Sequence, residues 1–157
     1  EDDDPNYRIK PEWHQKVFGK FISAKNLPIK TGKIFATLQL RGLGGLKHFK
    51  FTTDEVDPNN LMFNKNINFD RVKKGDSIEI VLYTKNGDDD QIPFASAKIS
   101  CRNLKENSDE MYNVKLERPS VLLYNGKKLN GIKDFGEVQM SLNTNIEFTI
   151  LEWKKIF

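Results

Sequence analysis

Apolar and polar residues alternate along this chain in short runs. Val17, Gly19 and Phe21 alternate with Phe18 and Lys20, and Ile34, Ala36, Leu38 and Leu40 with Phe35, Thr37 and Gln39. Phe49 and Phe51 flank Lys50, and Leu61, Phe63, Lys65, Ile67 and Phe69 alternate with Met62, Asn64, Asn66 and Asn68. Ile78, Ile80 and Leu82 come next, then Ala95, Ala97 and Ile99, then Tyr112, Val114 and Leu116, then Val138, Met140 and Leu142. Side chains two apart share one face of a strand, so each run can bury one face and wet the other. Turn chemistry separates the runs: Asn26 to Pro28, Thr31-Gly32, the Gly42–Gly45 loop, Asp57-Pro58-Asn59-Asn60, Lys74-Gly75-Asp76, Asn86-Gly87-Asp88 and Asn125-Gly126. The pattern predicts an all-β fold, an eight-stranded antiparallel Greek-key β-sandwich.

No segment sustains a helical period; residues 102–111 suit a short helical turn at most. Glu117-Arg118-Pro119 stops a strand. Val121-Leu122-Leu123-Tyr124 reads as an extra strand or as one arm of an inserted hairpin closed by Asn125-Gly126. The stretch Ile146 to Phe157 reads either as a strand continuing the sheet or as the start of a segment leading to another domain. A length of 157 residues suits one domain. The expected division is an acidic leader or linker over 1–14, with Pro5 and Pro11, and a single sandwich over 15–157.

Charge refines this picture. The net charge is +3, but residues 1–12 carry five acids and two bases, which leaves 23 basic against 17 acidic residues, or +6, in the remainder. A basic body attracts polyanions such as acidic lipid headgroups, nucleic acid or acidic proteins. The chain is also rich in Lys and Asn, both read by A/T-rich codons, so surface Lys and Asn carry little functional weight on their own. Cys101, the one cysteine, excludes an internal disulfide and a cysteine zinc site and reads as a small packed residue. The absence of an Asn-x-Ser/Thr sequon agrees with a cytoplasmic address. No apolar run is long enough for a spanning helix, and none near Glu1 resembles a signal peptide.

Catalysis is not expected. His14 and His48 are the only histidines, and neither accompanies a Ser or Cys nucleophile motif. The glycines of Arg41 to Lys47 precede no Gly-Lys-Ser/Thr and fit a tight strand connection instead. Most aromatic residues fall on the buried parity, so no stacking platform for nucleic acid is expected.

Four stretches, in order, resemble the C2 domain, the membrane-targeting sandwich first described as a constant region of protein kinase C. They are Val17 to Pro28 (VFGKFISAKNLP), Phe63 to Phe69 (FNKNINF), Ile78 to Thr84 (IEIVLYT) and Gly136 to Leu142 (GEVQMSL). The resemblance covers about residues 15–145. With no strand expected before residue 15 and the Gly136 strand closing the sheet, the order resembles the circularly permuted topology of phospholipase C-like members.

The resemblance implies loops at one end that bind calcium in some members through clustered Asp side chains, since calcium takes six to eight oxygens. Here the first loop, Lys25 to Lys33, holds no acid, and Lys33-Ile34-Phe35 replaces the family's Asp-Pro-Tyr. Tyr83-Thr84-Lys85-Asn86 replaces the third loop's Tyr-Asp-x-Asp, which puts Thr84 and Asn86 at two ligand positions. Asp88, Asp89 and Asp90 are the remaining weak metal candidates, and no cofactor is expected. Lys25, Lys30 and Lys33 place positive charge where calcium would, Lys47 and Lys50 lie where basic members hold a phosphoinositide patch, and Ile92, with Ile29 and Pro93, suits a loop-tip wedge. These residues lead to the expectation of a non-catalytic, calcium-independent docking module on an anionic phospholipid membrane or a protein partner. By the resemblance it would be peripheral on the cytosolic face of a membrane or vesicle, in vesicle traffic or secretion, within a larger parent chain. A protein–protein scaffold without lipid binding, and a weak calcium-dependent phospholipid binder, are the alternatives.

Overall fold

A computed structural model describes residues 9–42, 45–87, 90–119 and 129–152, with side chains over 14–42, 50–87, 90–119 and 129–146. The alternating runs form eight strands: β1 (Ile9–Lys25), β2 (Lys33–Gly42), β3 (Gly45–Thr52), β4 (Met62–Val72), β5 (Ser77–Lys85), β6 (Gln91–Ser100), β7 (Glu110–Lys115) and β8 (Glu137–Glu152). They make two four-stranded sheets, ordered β4-β1-β8-β7 and β3-β2-β5-β6. Every strand pair is antiparallel. The first and last strands lie side by side in the middle of one sheet, as expected for a chain whose Gly136 strand closes it.

β5 follows its sequence pattern closely: Ile78, Ile80, Leu82 and Thr84 are buried, and the residues between them are half-exposed. Phe21 packs on Phe63 of the neighbouring strand with centroids 5.2 Å apart, and across the two sheets Phe51 meets Phe69 edge-on at 5.1 Å. Cys101 is buried in a short 3-10 turn, Cys101–Asn103, which overlaps only the start of the 102–111 stretch read as a helical turn; the end of that stretch enters β7. Its carbonyl accepts a hydrogen bond from the side-chain amide of Gln15 at 3.1 Å, which satisfies a polar side chain that is only 8% exposed.

One sequence expectation changes. The leader does not extend to residue 14, because β1 starts at Ile9 and pairs residue by residue with β8 from Ile9↔Glu152 onward. Pro11 and Glu12 look like part of a linker, yet a strand with one open edge accommodates both. Of the two readings for the C-terminal stretch, the strand holds: β8 runs unbroken to Glu152. The proposed hairpin arm Val121–Tyr124 lies outside the described residues. Its bases are fixed, with Leu129 and Phe135 buried in the core and the Arg118 guanidinium donating to the Leu129 carbonyl at 2.5 Å.

Candidate docking site at the loop end

Four connections meet at one end of the sandwich: 26–32 after β1, 53–61 after β3, 86–90 after β5 and 116–136 after β7. Backbone bonds tie the 53–61 connection to β1 and β2 and close the two ends of 116–136 on each other. The Ala24 amide donates to the Leu61 carbonyl, Ile34 and Val56 exchange amide and carbonyl at 2.8 Å, and the Leu116 amide donates to the Gly136 carbonyl.

The first and third loops interlock where the resemblance puts metal ligands. Thr84 is 5% exposed, and its hydroxyl donates to the Thr31 carbonyl at 2.6 Å. Gly32 adopts φ +75°, and a Cβ there would come within 2.5 Å of Asn86 Oδ1 and 2.7 Å of Thr84 Oγ1. The left-handed backbone and the lack of space both require glycine. The two ligand positions therefore hold neutral side chains: the Thr84 hydroxyl is bonded to the backbone of the first loop, and Asn86 Oδ1 lies in the space a side chain at position 32 would need. Thr84→Val should remove this part-buried hydrogen bond to an exposed loop residue, costing about 0.5–1.5 kcal/mol. A lowered urea midpoint with an unchanged slope would show it; an unchanged midpoint would mean that the bond contributes nothing.

The lysines of the first loop differ in their surroundings. Lys25, at the end of β1, lies 3.9 Å from Glu137. Lys30 is exposed on the loop, with no ion-pair partner among the described residues. Lys33 starts β2 directly opposite Lys85 on β5, a like-charge pair that destabilises a sheet unless screened. The connection after β3 supplies the screen: Asp57 lies 2.5 Å from the Lys33 ammonium, and Glu55 lies 2.9 Å from that of Lys85. Sequence reading treated Asp57 as turn chemistry and passed over Glu55. Their role follows only from the topology that sets 53–57 beside β2, and Ile34↔Val56 bridging marks that junction.

The other candidates scatter. Lys50 is exposed on the outer face of the β3-β2-β5-β6 sheet, not at the loop tips. It borders a depression of about 240 Å³ with Glu55 and the Phe35–Tyr83 ring stack, centroids 4.9 Å apart and 7° from parallel. That stack was not anticipated, although Phe35 and Tyr83 both fall on the outward parity of their strands. Ile92 is half-buried in β6 opposite Thr84, and Ile29 packs against the core, so neither stands out as a free wedge. The side chain of Lys47 and residues Asp88 and Asp89 lie outside the described residues; Asp90 accepts the Asn86 amide through its carbonyl at 3.2 Å. Among the described residues no group of three or more His, Cys, Asp or Glu side chains could hold a metal ion, and no helix is long and apolar enough to cross a membrane.

No family model matches the sequence, and no curated protein matches it. Solved structures do. A C2 domain of a plant extended synaptotagmin 1 superimposes with a TM-score of 0.68 at 14% identity, over 85% of this chain and 96% of that one. A human GIVD cytosolic phospholipase A2 superimposes with a TM-score of 0.63 at 10% identity, over 89% of this chain but only 18% of the enzyme. With two antiparallel four-stranded sheets ordered β4-β1-β8-β7 and β3-β2-β5-β6, the chain has the fold of a C2 domain.

Proposed function

We propose that this chain is a non-catalytic docking module that binds an anionic phospholipid surface through its loop end without calcium. The observation that carries the reading is the close fit of Thr84 and Asn86 against Thr31 and Gly32 of the first loop, with neutral side chains at two positions where related domains hold ligand carboxylates. Lys25, Lys30 and Lys33 border that interlock and supply charge directly. Each Lys near an anionic bilayer contributes about 1 kcal/mol, within a Debye length of the surface. Lys50 and the outer-face depression it borders form a second locus for a headgroup, with position 47 on the same strand. The fold of the synaptotagmin and phospholipase neighbours supports the docking role, and the vesicle setting is the reading that fits those neighbours.

The second reading is a protein-docking scaffold, and the ion pairs at Lys33 and Lys85 favour it, because a surface of mixed sign suits a protein more than a bilayer. Sedimentation with vesicles of neutral phosphatidylcholine, and of phosphatidylcholine mixed with phosphatidylserine, tests both. Pelleting should require the anionic lipid and should be equal in calcium and in chelator. Pelleting only with calcium would replace this reading with the calcium-dependent one, and no pelleting at all would leave the scaffold.

A further inference from the structure

At the end of the sandwich away from these loops, β1 and β8 run on together. β4 pairs with β1 only from Gln15 onward. β7 pairs with β8 only to Leu142, and Glu106 then bridges Thr144. The β1–β8 register continues unbroken from Val17↔Thr144 to Ile9↔Glu152. Residues 9–14 and 145–152 thus make a two-stranded ribbon, and among the described residues no strand lies along either outer edge. Two strands alone are marginal in water, and an open edge is a template for a further strand.

Backbone parity distinguishes the two edges. The Asn107 amide donates to the Thr144 carbonyl at 2.8 Å, so Thr144 turns its backbone groups away from β1. That orientation alternates along an antiparallel ladder. Ile146, Phe148, Ile150 and Glu152 therefore turn N–H and C=O toward the open edge of β8. Their β1 partners Trp13, Pro11 and Ile9 turn theirs to the opposite edge. There Pro11 has no N–H to offer, which blunts that edge. No proline interrupts β8.

We propose that the 146–152 edge of β8 pairs antiparallel with the same edge of a second copy of this chain, about a two-fold axis at Thr149. Outward backbone groups occur only at even positions, so even must meet even. With the axis at Thr149, Phe148 meets Ile150 of the second copy and Thr149 meets itself, a pairing that suits cross-strand neighbours. Glu147 meets Leu151, so no carboxylate faces another. An axis at Phe148 would need the Thr144 carbonyl, which already takes the Asn107 amide, and an axis at Ile150 pairs fewer of the described residues. The pairing also joins the stripe of positions 146, 148 and 150 to its twin. Ile146, at the start of that stripe, is 44% exposed where the sandwich ends.

Sedimentation velocity and cross-linking of the 157-residue chain test this. The wild type should sediment as a dimer that dissociates on dilution. Thr149→Cys should form a covalent dimer under mild oxidation, because two residues at the axis lie within disulfide reach. Asn145→Cys should not, since the register sets its two copies about 26 Å apart. Cys101 is fully buried and does not compete. Ile150→Pro, which removes one outward N–H and spares the β1–β8 bonds, should leave a monomer with an unchanged circular dichroism spectrum. A wild type that stays monomeric at its highest soluble concentration overturns the proposal. So does a dimer in which Asn145→Cys cross-links as readily as Thr149→Cys.

Discussion

Gly19→Ala should abolish the cooperative unfolding transition of this protein, while Gly75→Ala should leave it in place. Gly19 lies within β1, with β4 on one side and β8 on the other. Its φ is +154°, and a Cβ there would fall on the Ser141 carbonyl oxygen and 2.9 Å from the Ser141 carbonyl carbon. The obstacle is backbone in the middle of a sheet. It cannot give way as a flexible side chain could, since moving it breaks the pairing that joins the first strand to the last. Domains of this size are stable by roughly 5–15 kcal/mol, and a backbone clash in a central strand can take most of that. At Gly75 an added methyl group would meet nothing within 4 Å, and the residue sits in an exposed turn at a φ that any residue adopts. Alanine there should be neutral, or stabilise by a few tenths of a kcal/mol through the unfolded chain. Thermal melts of both variants decide the matter, and a normal melt for Gly19→Ala would mean that β1 and β8 do not meet in this register.

The core strands were legible because burial with a period of two is a local signal. Ile78 to Thr84 shows it without exception. The start of β1 was not legible, because what makes Ile9 to His14 a strand is β8, more than a hundred residues away in sequence. The same limit governs the loop end. Replacement of ligand carboxylates by Thr84 and Asn86 could be read from spacing and resemblance. Engagement of the Thr84 hydroxyl by the Thr31 carbonyl, and the lack of room at Gly32, depend on how two loops meet. Lys33 looked like free positive charge because its partner Asp57 belongs to a connection 24 residues further along the chain. A sequence displays charges; which of them cancel is decided by the topology that brings the connections after β1, β3 and β5 together.

That cancellation makes opposite predictions for two sets of variants. Lys30→Glu removes an exposed charge and adds repulsion, about 2 kcal/mol at an anionic bilayer, so vesicle binding should weaken roughly 30-fold. Adding Lys25→Glu and Lys33→Glu should weaken it further, with the Lys33 share smaller because Asp57 already offsets that charge. The pair Glu55→Gln and Asp57→Asn should act the other way. It removes two negative charges beside the bilayer and releases Lys33 and Lys85 toward it, for a gain of about 1–2 kcal/mol, or roughly 5- to 30-fold tighter binding. The folded state should barely notice, because surface ion pairs contribute about 0–1 kcal/mol each. Vesicle titration at low and physiological salt reads both sets, and the difference between them should shrink as salt rises. If neither set moves the affinity, the bilayer meets another face, and Lys50 beside the Phe35–Tyr83 stack is the next locus to vary. If lysine reversal weakens binding and carboxylate removal weakens it too, the loop end is recognised as a surface of mixed sign. That outcome belongs to a protein partner, since a bilayer of one sign has no use for Glu55 and Asp57.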